Sequence, residues 1–340
     1  MPRSSSNWSS RWSRAQPSVR QTDVIMSPPV VVEVLRGHVI ESRHEVDVAV
    51  VGADGHRSGF GNPGRNVLAR SAIKPIQAFP LVATGAADAF DLSQRRLALS
   101  CASHNGEAGH VDEVVSWLGD IGLDPSALEC GVHPPIDGSA CDALVEAGVS
   151  PGAQHNNCSG KHSGFLTTCV HLGLDPAGYI RPEHAVQRDH ITKAIEAACE
   201  VSLDDETPVV DGCGIPVWEL TLDSLAGGWA RISGTDEGRR LYAAMAAEPF
   251  FVAGSGRLST RVMEAVGGPV AVKGGAEGVF CGVHVESGLA WAVKARDGAG
   301  RAAEAAMLWV MRDLGFDPGV ELDPLANAAG RRVGELRAGV

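Results

Sequence analysis

The sequence predicts a mixed α/β fold in which helices cover a largely antiparallel sheet. Residues 30–36 and 45–52 are valine-rich runs with turn residues around them, as in buried strands. Asp54-Gly55 is typical of the tight turn of a hairpin and leads into a further strand at 56–62. Three later apolar runs follow one another closely, as in an antiparallel meander. These runs predict strands at 269–273, 277–285 and 288–294.

Elsewhere, apolar residues recur every three to four positions, which is the spacing that one face of a helix requires. Helices are predicted at 71–85, 107–118, 139–147, 161–173, 183–200, 236–247 and 299–313. The apolar run at 96–102 predicts a buried strand that ends at Ser103, and a short strand is predicted at 208–211.

Composition narrows the class of protein. The chain has 340 residues, of which 44% are hydrophobic and 21% charged, as in globular proteins. A net charge of −12, with lysine and arginine scattered singly, argues against a nucleic-acid partner. No uncharged apolar window reaches about 18 residues, so no membrane span is predicted. Eight dispersed cysteines without a secretory signal predict a reducing, cytoplasmic location rather than a disulfide framework.

Residues 1–28 differ from the rest of the chain. They are rich in serine and arginine, lack an acidic residue before Asp23, and contain no apolar core of a signal peptide. We expect a disordered leader here, with Met26 as an alternative start, and one catalytic domain over 29–340.

The stretch RSAIKP at 70–75 places Ser71 one helical turn before Lys74. Taken alone, this spacing favours a helix N-cap serine near a surface lysine, because serine is a preferred cap. Two later motifs change that reading. Ser103 lies in CASHNGE (101–107), and Lys273 lies in the predicted strand motif VAVKGG (270–275). The ordered set resembles the S-x-x-K, S-x-N and K-[ST]-G elements of serine β-lactamases and penicillin-binding proteins.

Such a set suits nucleophilic catalysis. A serine hydroxyl attacks a carbonyl only after a base takes its proton, and a neutral lysine can be that base. Burial or a neighbouring cation keeps a lysine neutral by lowering its pKa. We therefore predict two Ser/Lys dyads, Ser71–Lys74 and Ser103–Lys273, with Lys74 as the neutral base and Lys273 as the neighbouring cation.

A second cluster contains two cysteines in polar, glycine-rich surroundings. HNNCSGKHSG (155–164) holds Cys158, Lys161 and His162 near a helix start, and VVDGCGIP (209–216) holds Cys213 beside Asp211. Thiolate with amine or imidazole ligands suits Zn²⁺. Two buried cysteines beside a glycine turn explain the same pattern equally well, since C-x-x-K-H is not a standard zinc spacing.

Taken together, the motifs RSAIKP, CASHNGE, HNNCSGKHSG, DGCGIP (211–216), FVAGSGR (251–257) and KGGAEG (273–278) closely resemble one family. This is the Rhizobium etli-type L-asparaginase group, the asparaginase II family, which is distinct from the bacterial two-domain threonine enzymes. The resemblance implies a serine β-lactamase/glutaminase-like fold, a homodimer, and hydrolysis of L-asparagine to L-aspartate and ammonia.

The resemblance also implies roles for individual residues. Ser71 is the expected nucleophile with Lys74 as its base, and Ser103 and Lys273 form the second dyad. Cys158, Lys161 and Cys213 are the expected Zn²⁺ ligands, and a lysine can ligate only when the metal displaces its proton. The resemblance also places Asp211 and His162 near the substrate and the metal. Arg70, His104 and Glu107 are further candidates for substrate binding, from their motif positions and charge.

Two other functions remain open at this stage. One is a penicillin-recognising acyl-serine enzyme, which Gly274 after Lys273 disfavours because that group has threonine or serine there. The other is a non-catalytic zinc- or amino-acid-binding protein, which the presence of both serines and both lysines disfavours. The preference between asparagine and glutamine is not predicted, because one methylene changes binding by only about 1–3 kcal/mol.

Overall fold

The computed structural model describes residues 27–204 and 206–340. Almost all of the predicted leader, including Met26, therefore lies outside the described residues. None of the helices in the described part of the chain has the length and apolarity needed to cross a bilayer.

The fold is built on one antiparallel sheet of eight strands, in the order β11-β12-β1-β2-β10-β9-β8, with β3 paired to β2. All of its strand pairs are antiparallel. The strands of this sheet are β1 (Val30–Arg36), β2 (Val39–Val51), β3 (Arg57–Phe60), β8 (Val270–Gly275), β9 (Val279–His284), β10 (Leu289–Ala295), β11 (Leu325–Ala326) and β12 (Arg332–Gly339). Two small ribbons pair β4 (Asn66–Leu68) with β7 (Glu219–Thr221), and β5 (Val209–Val210) with β6 (Pro216–Val217).

Twelve α-helices surround the sheet within the described residues. They are α1 (Lys74–Ala83), α2 (Ala86–Ala89), α3 (Gln94–Ser100), α4 (Ala108–Asp120), α5 (Gly138–Glu146), α6 (Ser159–Leu172), α7 (Thr192–Cys199), α8 (Leu222–Ser233), α9 (Asp236–Ala247), α10 (Pro249–Ala253), α11 (Leu258–Val266) and α12 (Gly300–Asp313). Short 3₁₀ turns occupy Arg70–Ile73, Pro125–Ala127 and Ala153–His155, and a π-helical turn at Val186–Ile191 leads into α7.

The centre of the sheet is covered on both faces. Successive side chains of a strand point to opposite faces, yet consecutive residues of β2, β9 and β10 are buried. Two helices account for this burial, because α8 and α12 both pack on these three strands. The predicted α/β class, with helices covering a largely antiparallel sheet, is confirmed.

One predicted element is wrong. Residues 96–102 were expected to form a strand, but the segment forms most of helix α3. Ser93 begins this helix, since its hydroxyl accepts a hydrogen bond from the Arg96 backbone N–H at 3.4 Å. Leu97, Ala98 and Leu99 are all buried, so the run shows no amphipathic period, and a short apolar run alone does not separate a strand from a buried helix. Ser103 consequently lies in a loop after a helix.

Candidate active site

Ser71 and Lys74 lie at the junction of two helical segments. The 3₁₀ turn Arg70–Ile73 continues directly into α1, which begins at Lys74 and has Pro75 in its first turn, where its missing N–H costs nothing. Arg70 has a φ of 46°, a left-handed conformation that is sparsely populated outside glycine. Ser71 is half-buried and Lys74 is only 1% exposed, so Lys74 is not the surface lysine of an ordinary helix.

Ser103 lies between two buried lysine amines. Its Oγ is 2.9 Å from Lys74 Nζ and 2.8 Å from Lys273 Nζ. The loop that carries Ser103 is fixed at two points, because the Ser103 N–H donates to the Val252 carbonyl at 2.9 Å and the His104 N–H donates to the Asn157 carbonyl at 3.1 Å. Three segments far apart in sequence thus place one hydroxyl between two amines.

The arrangement differs from two separate dyads. The expected Ser103–Lys273 contact is present, whereas Ser71 Oγ makes no hydrogen bond to any described residue. Lys74 Nζ contacts Ser103 Oγ and also lies 3.1 Å from Cys158 Sγ. The single hydroxyl of Ser103 is therefore shared by both lysines.

The low lysine pKa that this chemistry requires is found at Lys273. Burial lowers the pKa of Lys273 well below its usual range, and the nearby charges of Lys74 and Arg257 lower it further. Lys273 is 2% exposed, so water does not compensate its charge. The amine with the lowered pKa therefore lies beside Ser103, and it belongs to the lysine that was expected to be the neighbouring cation.

Both serines open onto one cavity of about 280 Å³. Ser71, Ser103 and Lys273 line it, together with the backbone of the end of β8 and with residues of α11 and α12. Of the five residues expected to bind substrate, none is among the described residues that line this cavity. The cavity contains two charged side chains that were not among the expected site residues, Arg257 and Glu304.

Two of the expected substrate-binding residues are engaged in holding loops. His104 is fully buried and its Nε2 lies 2.9 Å from Ser159 Oγ. Glu107 accepts hydrogen bonds from the Ser255 backbone N–H at 2.8 Å and from the Ser255 hydroxyl at 2.7 Å. These hydrogen bonds lower the pKa of Glu107, although burial acts in the opposite direction. Their contacts favour a structural role near the Ser103 loop.

Arg70 and Asp211 form an ion pair. Arg70 Nε donates to Asp211 Oδ1 at 2.7 Å, which joins the turn before Ser71 to the loop that holds Cys213. Burial raises the pKa of Asp211, but the charge of Lys161, the Gly212 N–H and Arg70 outweigh it, so the net pKa is below its usual range. Asp211 is therefore a carboxylate that links the serine turn to the cysteine cluster.

Cys158, Lys161 and Cys213 lie together, as expected. Lys161 Nζ is 3.0 Å from Cys213 Sγ, and Cys213 also hydrogen-bonds Cys158. That hydrogen bond lowers the pKa of Cys158 well below its usual range. Burial acts in the opposite direction, whereas Lys74 and Lys161 lower the pKa further. The same hydrogen bond and burial raise the pKa of Cys213. Two cysteine sulfurs whose pKa values are shifted in opposite directions are thus held beside a buried amine.

The donor set fits a zinc ion if Lys161 is a ligand. Within residues 27–204 and 206–340, no group of three or more histidine, cysteine or acidic side chains is placed to bind a metal. The third donor would therefore be the Lys161 amine. Burial lowers the pKa of this amine, but Cys213 and Cys158 raise it, and the net pKa lies above its usual range. His162 lies beside this cluster, its Nδ1 is 2.7 Å from the Tyr179 hydroxyl, and its buried Nε2 has no hydrogen-bond partner among the described residues. A metal at these residues would displace the Lys161 proton.

Glu304 was not predicted as a site residue, and only one feature of the sequence points to it. Glu304 is the single acid in the alanine-rich stretch GRAAEAAM (300–307), whose alanines at 302, 303, 305 and 306 are buried. An acid between small buried residues indicates a carboxylate held against a packed surface. Arg257 ends the motif FVAGSGR, but the motif alone does not show which cavity its side chain lines.

Comparisons with known proteins place the chain in a family. No curated protein matches the chain. One solved structure, described as a "putative beta-lactamase from Bacteroides dorei DSM 17855", is similar with a TM-score of 0.39 and 14% sequence identity, over 74% of this chain and 85% of that chain. The family model of L-asparaginase II matches residues 32–338, nearly all of the described chain. The chain belongs to the L-asparaginase II family.

Proposed function

We propose that this protein hydrolyses L-asparagine to L-aspartate and ammonia, with Ser71 as the nucleophile. The observation that carries the proposal is the Ser103 hydroxyl, held between two buried lysines in a cavity that Ser71 also lines. Membership of the L-asparaginase II family supports an amide substrate. A serine with a neutral amine base suits attack on a carboxamide carbon.

The contact of Lys273 with Ser103 and its lowered pKa together support Lys273 as the base. In the proposed first step Ser71 Oγ, which makes no hydrogen bond to the described residues, turns toward Ser103 and attacks the carboxamide carbon. The Ser71 proton then passes through the Ser103 hydroxyl to the Lys273 amine. The same pair returns that proton to the amide nitrogen as the carbon–nitrogen bond breaks, which releases ammonia and leaves an aspartyl ester on Ser71. Water then attacks the ester, gives its proton to the pair, and restores Ser71. The Lys74 amine, 2.9 Å from Ser103 Oγ, would stabilise the negative charge that develops near Ser103.

Cys158, Lys161 and Cys213 would hold a Zn²⁺ ion in this proposal. When bound, the ion would supply a fixed positive charge that helps to position the substrate. The proton transfers above need only the serines and lysines, because a serine nucleophile does not require a metal-bound hydroxide.

The test is ammonia release from L-asparagine, L-glutamine and a buffer blank, with nitrocefin as a β-lactam probe. We expect ammonia from asparagine and no nitrocefin turnover. Ser71→Ala and Ser103→Ala should each retain the wild-type melting temperature within a few degrees and lose about 1,000-fold or more in kcat. Ser93→Ala is the matched control, because Ser93 caps helix α3. It should cost about 1 kcal/mol of stability and leave kcat unchanged.

A quenched reaction analysed by peptide mass spectrometry should locate the ester on Ser71. An ester on Ser103 would exchange the roles of the two serines while leaving the hydrolase proposal intact. Wild-type turnover by both serine variants would overturn the proposal.

A further inference from the structure

The cavity that both serines line contains a carboxyl group, Glu304, that none of the described residues bonds directly. Glu304 lines the cavity that Ser71 and Ser103 open onto, and it is half-buried on helix α12. Among the described residues, none hydrogen-bonds or ion-pairs with its carboxyl group. Burial raises the pKa of Glu304, and the charges of Arg257 and Arg261 offset that rise only in part. A cation entering the cavity would therefore gain from this carboxylate.

Arg257 lines the same cavity and has unused donors. Its Nη1 donates to Asn105 Oδ1 at 3.0 Å, and its side chain makes no other hydrogen bond to the described residues. The residue is exposed. Arg257 is close enough to Lys273 to lower the pKa of that amine and close enough to Glu304 to lower the pKa of that carboxyl. Arg257 thus lies near both the reactive end of the cavity and its carboxylate.

Glu304 and Arg257 provide one negative and one positive group for a ligand whose carboxamide lies at the serines. A free α-amino acid carries an ammonium and a carboxylate on one carbon, so it complements this pair. Arg70 and Glu107 are charged residues that were expected to bind the substrate. Arg70 already bonds Asp211, Glu107 already bonds Ser255, and neither residue lines the cavity. Within the cavity, Arg257 and Glu304 therefore remain to bind the charged ends of the substrate.

We infer that Glu304 binds the α-ammonium group and Arg257 the α-carboxylate of the substrate, which restricts the enzyme to free amino acids. This inference rests on the proposed function for the identity of the reacting carboxamide. Asparagine within a peptide chain lacks both charged ends, and asparagine with an acylated amino group lacks the ammonium, so both are excluded as substrates. The two residues are therefore determinants of specificity for the proposed reaction.

The test is binding of compounds that are not turned over, measured by titration calorimetry. L-aspartate carries both ends, succinate lacks the ammonium, and 3-aminopropanoate lacks the α-carboxylate. Wild type should bind L-aspartate more tightly than either. Glu304→Gln should weaken L-aspartate binding roughly tenfold, the loss of a bond to a charged group, and leave succinate binding unchanged. Arg257→Gln should weaken L-aspartate binding by a similar factor and leave 3-aminopropanoate unchanged.

Glu264→Gln is the matched control, because Glu264 is exposed on α11 and is not a lining residue of this cavity. It should bind all three ligands as wild type does. The ratio of two affinities within one variant does not depend on how much of the sample is folded. Equal aspartate-to-succinate ratios in wild type and Glu304→Gln would overturn the inference, as would absence of L-aspartate binding by wild type. Failure to release ammonia from asparagine would instead overturn the proposed function, so the two failures are distinguished.

Discussion

The Lys273 amine has two features that suit a general base. It is 2.8 Å from Ser103 Oγ, and its pKa is lowered by burial, by Lys74 and by Arg257, in that order. Lowering the pKa of a lysine favours the neutral form, so the amine accepts a proton at a pH where an exposed lysine cannot. In the proposed mechanism, the surroundings of Lys273 therefore set the pH at which activity appears.

We predict that kcat/KM for asparagine rises with pH as Lys273 loses its proton and then reaches a plateau. Arg257→Gln removes one of the charges that lower this pKa, so the rise should move to higher pH. Arg261→Gln is the control, because Arg261 lies on helix α11, which begins directly after Arg257, and it bonds the Glu321 carbonyl and Asp323 instead. Lys273→Met should be inactive at every pH. If the pH dependence of kcat/KM were the same in Arg257→Gln and in wild type, Lys273 would be excluded as the titrating base.

At the scale of elements, the site depends on how closely strand β8 approaches the 3₁₀ turn Arg70–Ile73. A Cβ on Gly275 would lie 3.0 Å from the Ala72 backbone nitrogen and 3.2 Å from the Ser71 backbone nitrogen. Gly275 is needed here for space, since its φ is not in the left-handed region. The strand that carries Lys273 and the turn that carries Ser71 are thus in backbone contact.

Gly275→Ala should separate these two segments by a few tenths of an ångström. We expect kcat to fall about tenfold, because catalysis is sensitive to small displacements of the reacting groups. The free energy of unfolding should fall by no more than about 1–2 kcal/mol. Gly268→Ala is the matched control, since a Cβ there meets nothing within 4 Å, and it should preserve kcat. The comparison uses steady-state kinetics and urea denaturation, and equal kcat for both variants would contradict the argument.

Elements with a clear period were predictable from the sequence, whereas the contacts within the site were not. The helix predicted at 236–247 is the helix Asp236–Ala247, because its apolar residues repeat with a helical period. The fully apolar stretch at 96–102 has no such period and was assigned to the wrong element. Motif order brought Ser103 and Lys273 together correctly. The approach of Lys74 to Ser103 and the position of Glu304 depend on tertiary packing, which a local pattern does not encode.

At the scale of the whole molecule, the cysteine cluster joins two distant parts of the chain. Cys158 and Lys161 lie at the start of helix α6, and Cys213 lies between β5 and β6. The β5 strand is largely solvent-exposed, with Val209 52% and Val210 76% exposed, so few apolar contacts fix this segment. A metal ion bound to all three residues would stabilise the segment, since a ligand that binds only the folded state stabilises it.

We predict one zinc ion per chain, and a lower melting temperature after removal of the metal by a chelator. Cys158→Ser and Cys213→Ser should each lose the ion, measured by elemental analysis, while Cys141→Ser, at a partly exposed cysteine, should retain it. Zinc affinity should fall as pH falls, because Lys161 and Cys213 must give up protons to bind the metal. Full zinc content in both ligand variants would show that the assignment is wrong.

The Lys74 amine is shared between the cysteine cluster and the serine site. It lies 2.9 Å from Ser103 Oγ and 3.1 Å from Cys158 Sγ, so modification of that sulfur would remove a partner from the amine beside the Ser103 hydroxyl. In the proposed mechanism no cysteine attacks the substrate, yet we expect an alkylating reagent that reached Cys158 to abolish turnover. Inhibition by thiol reagents, a usual criterion for a cysteine hydrolase, would then be misleading for an enzyme with the proposed serine mechanism.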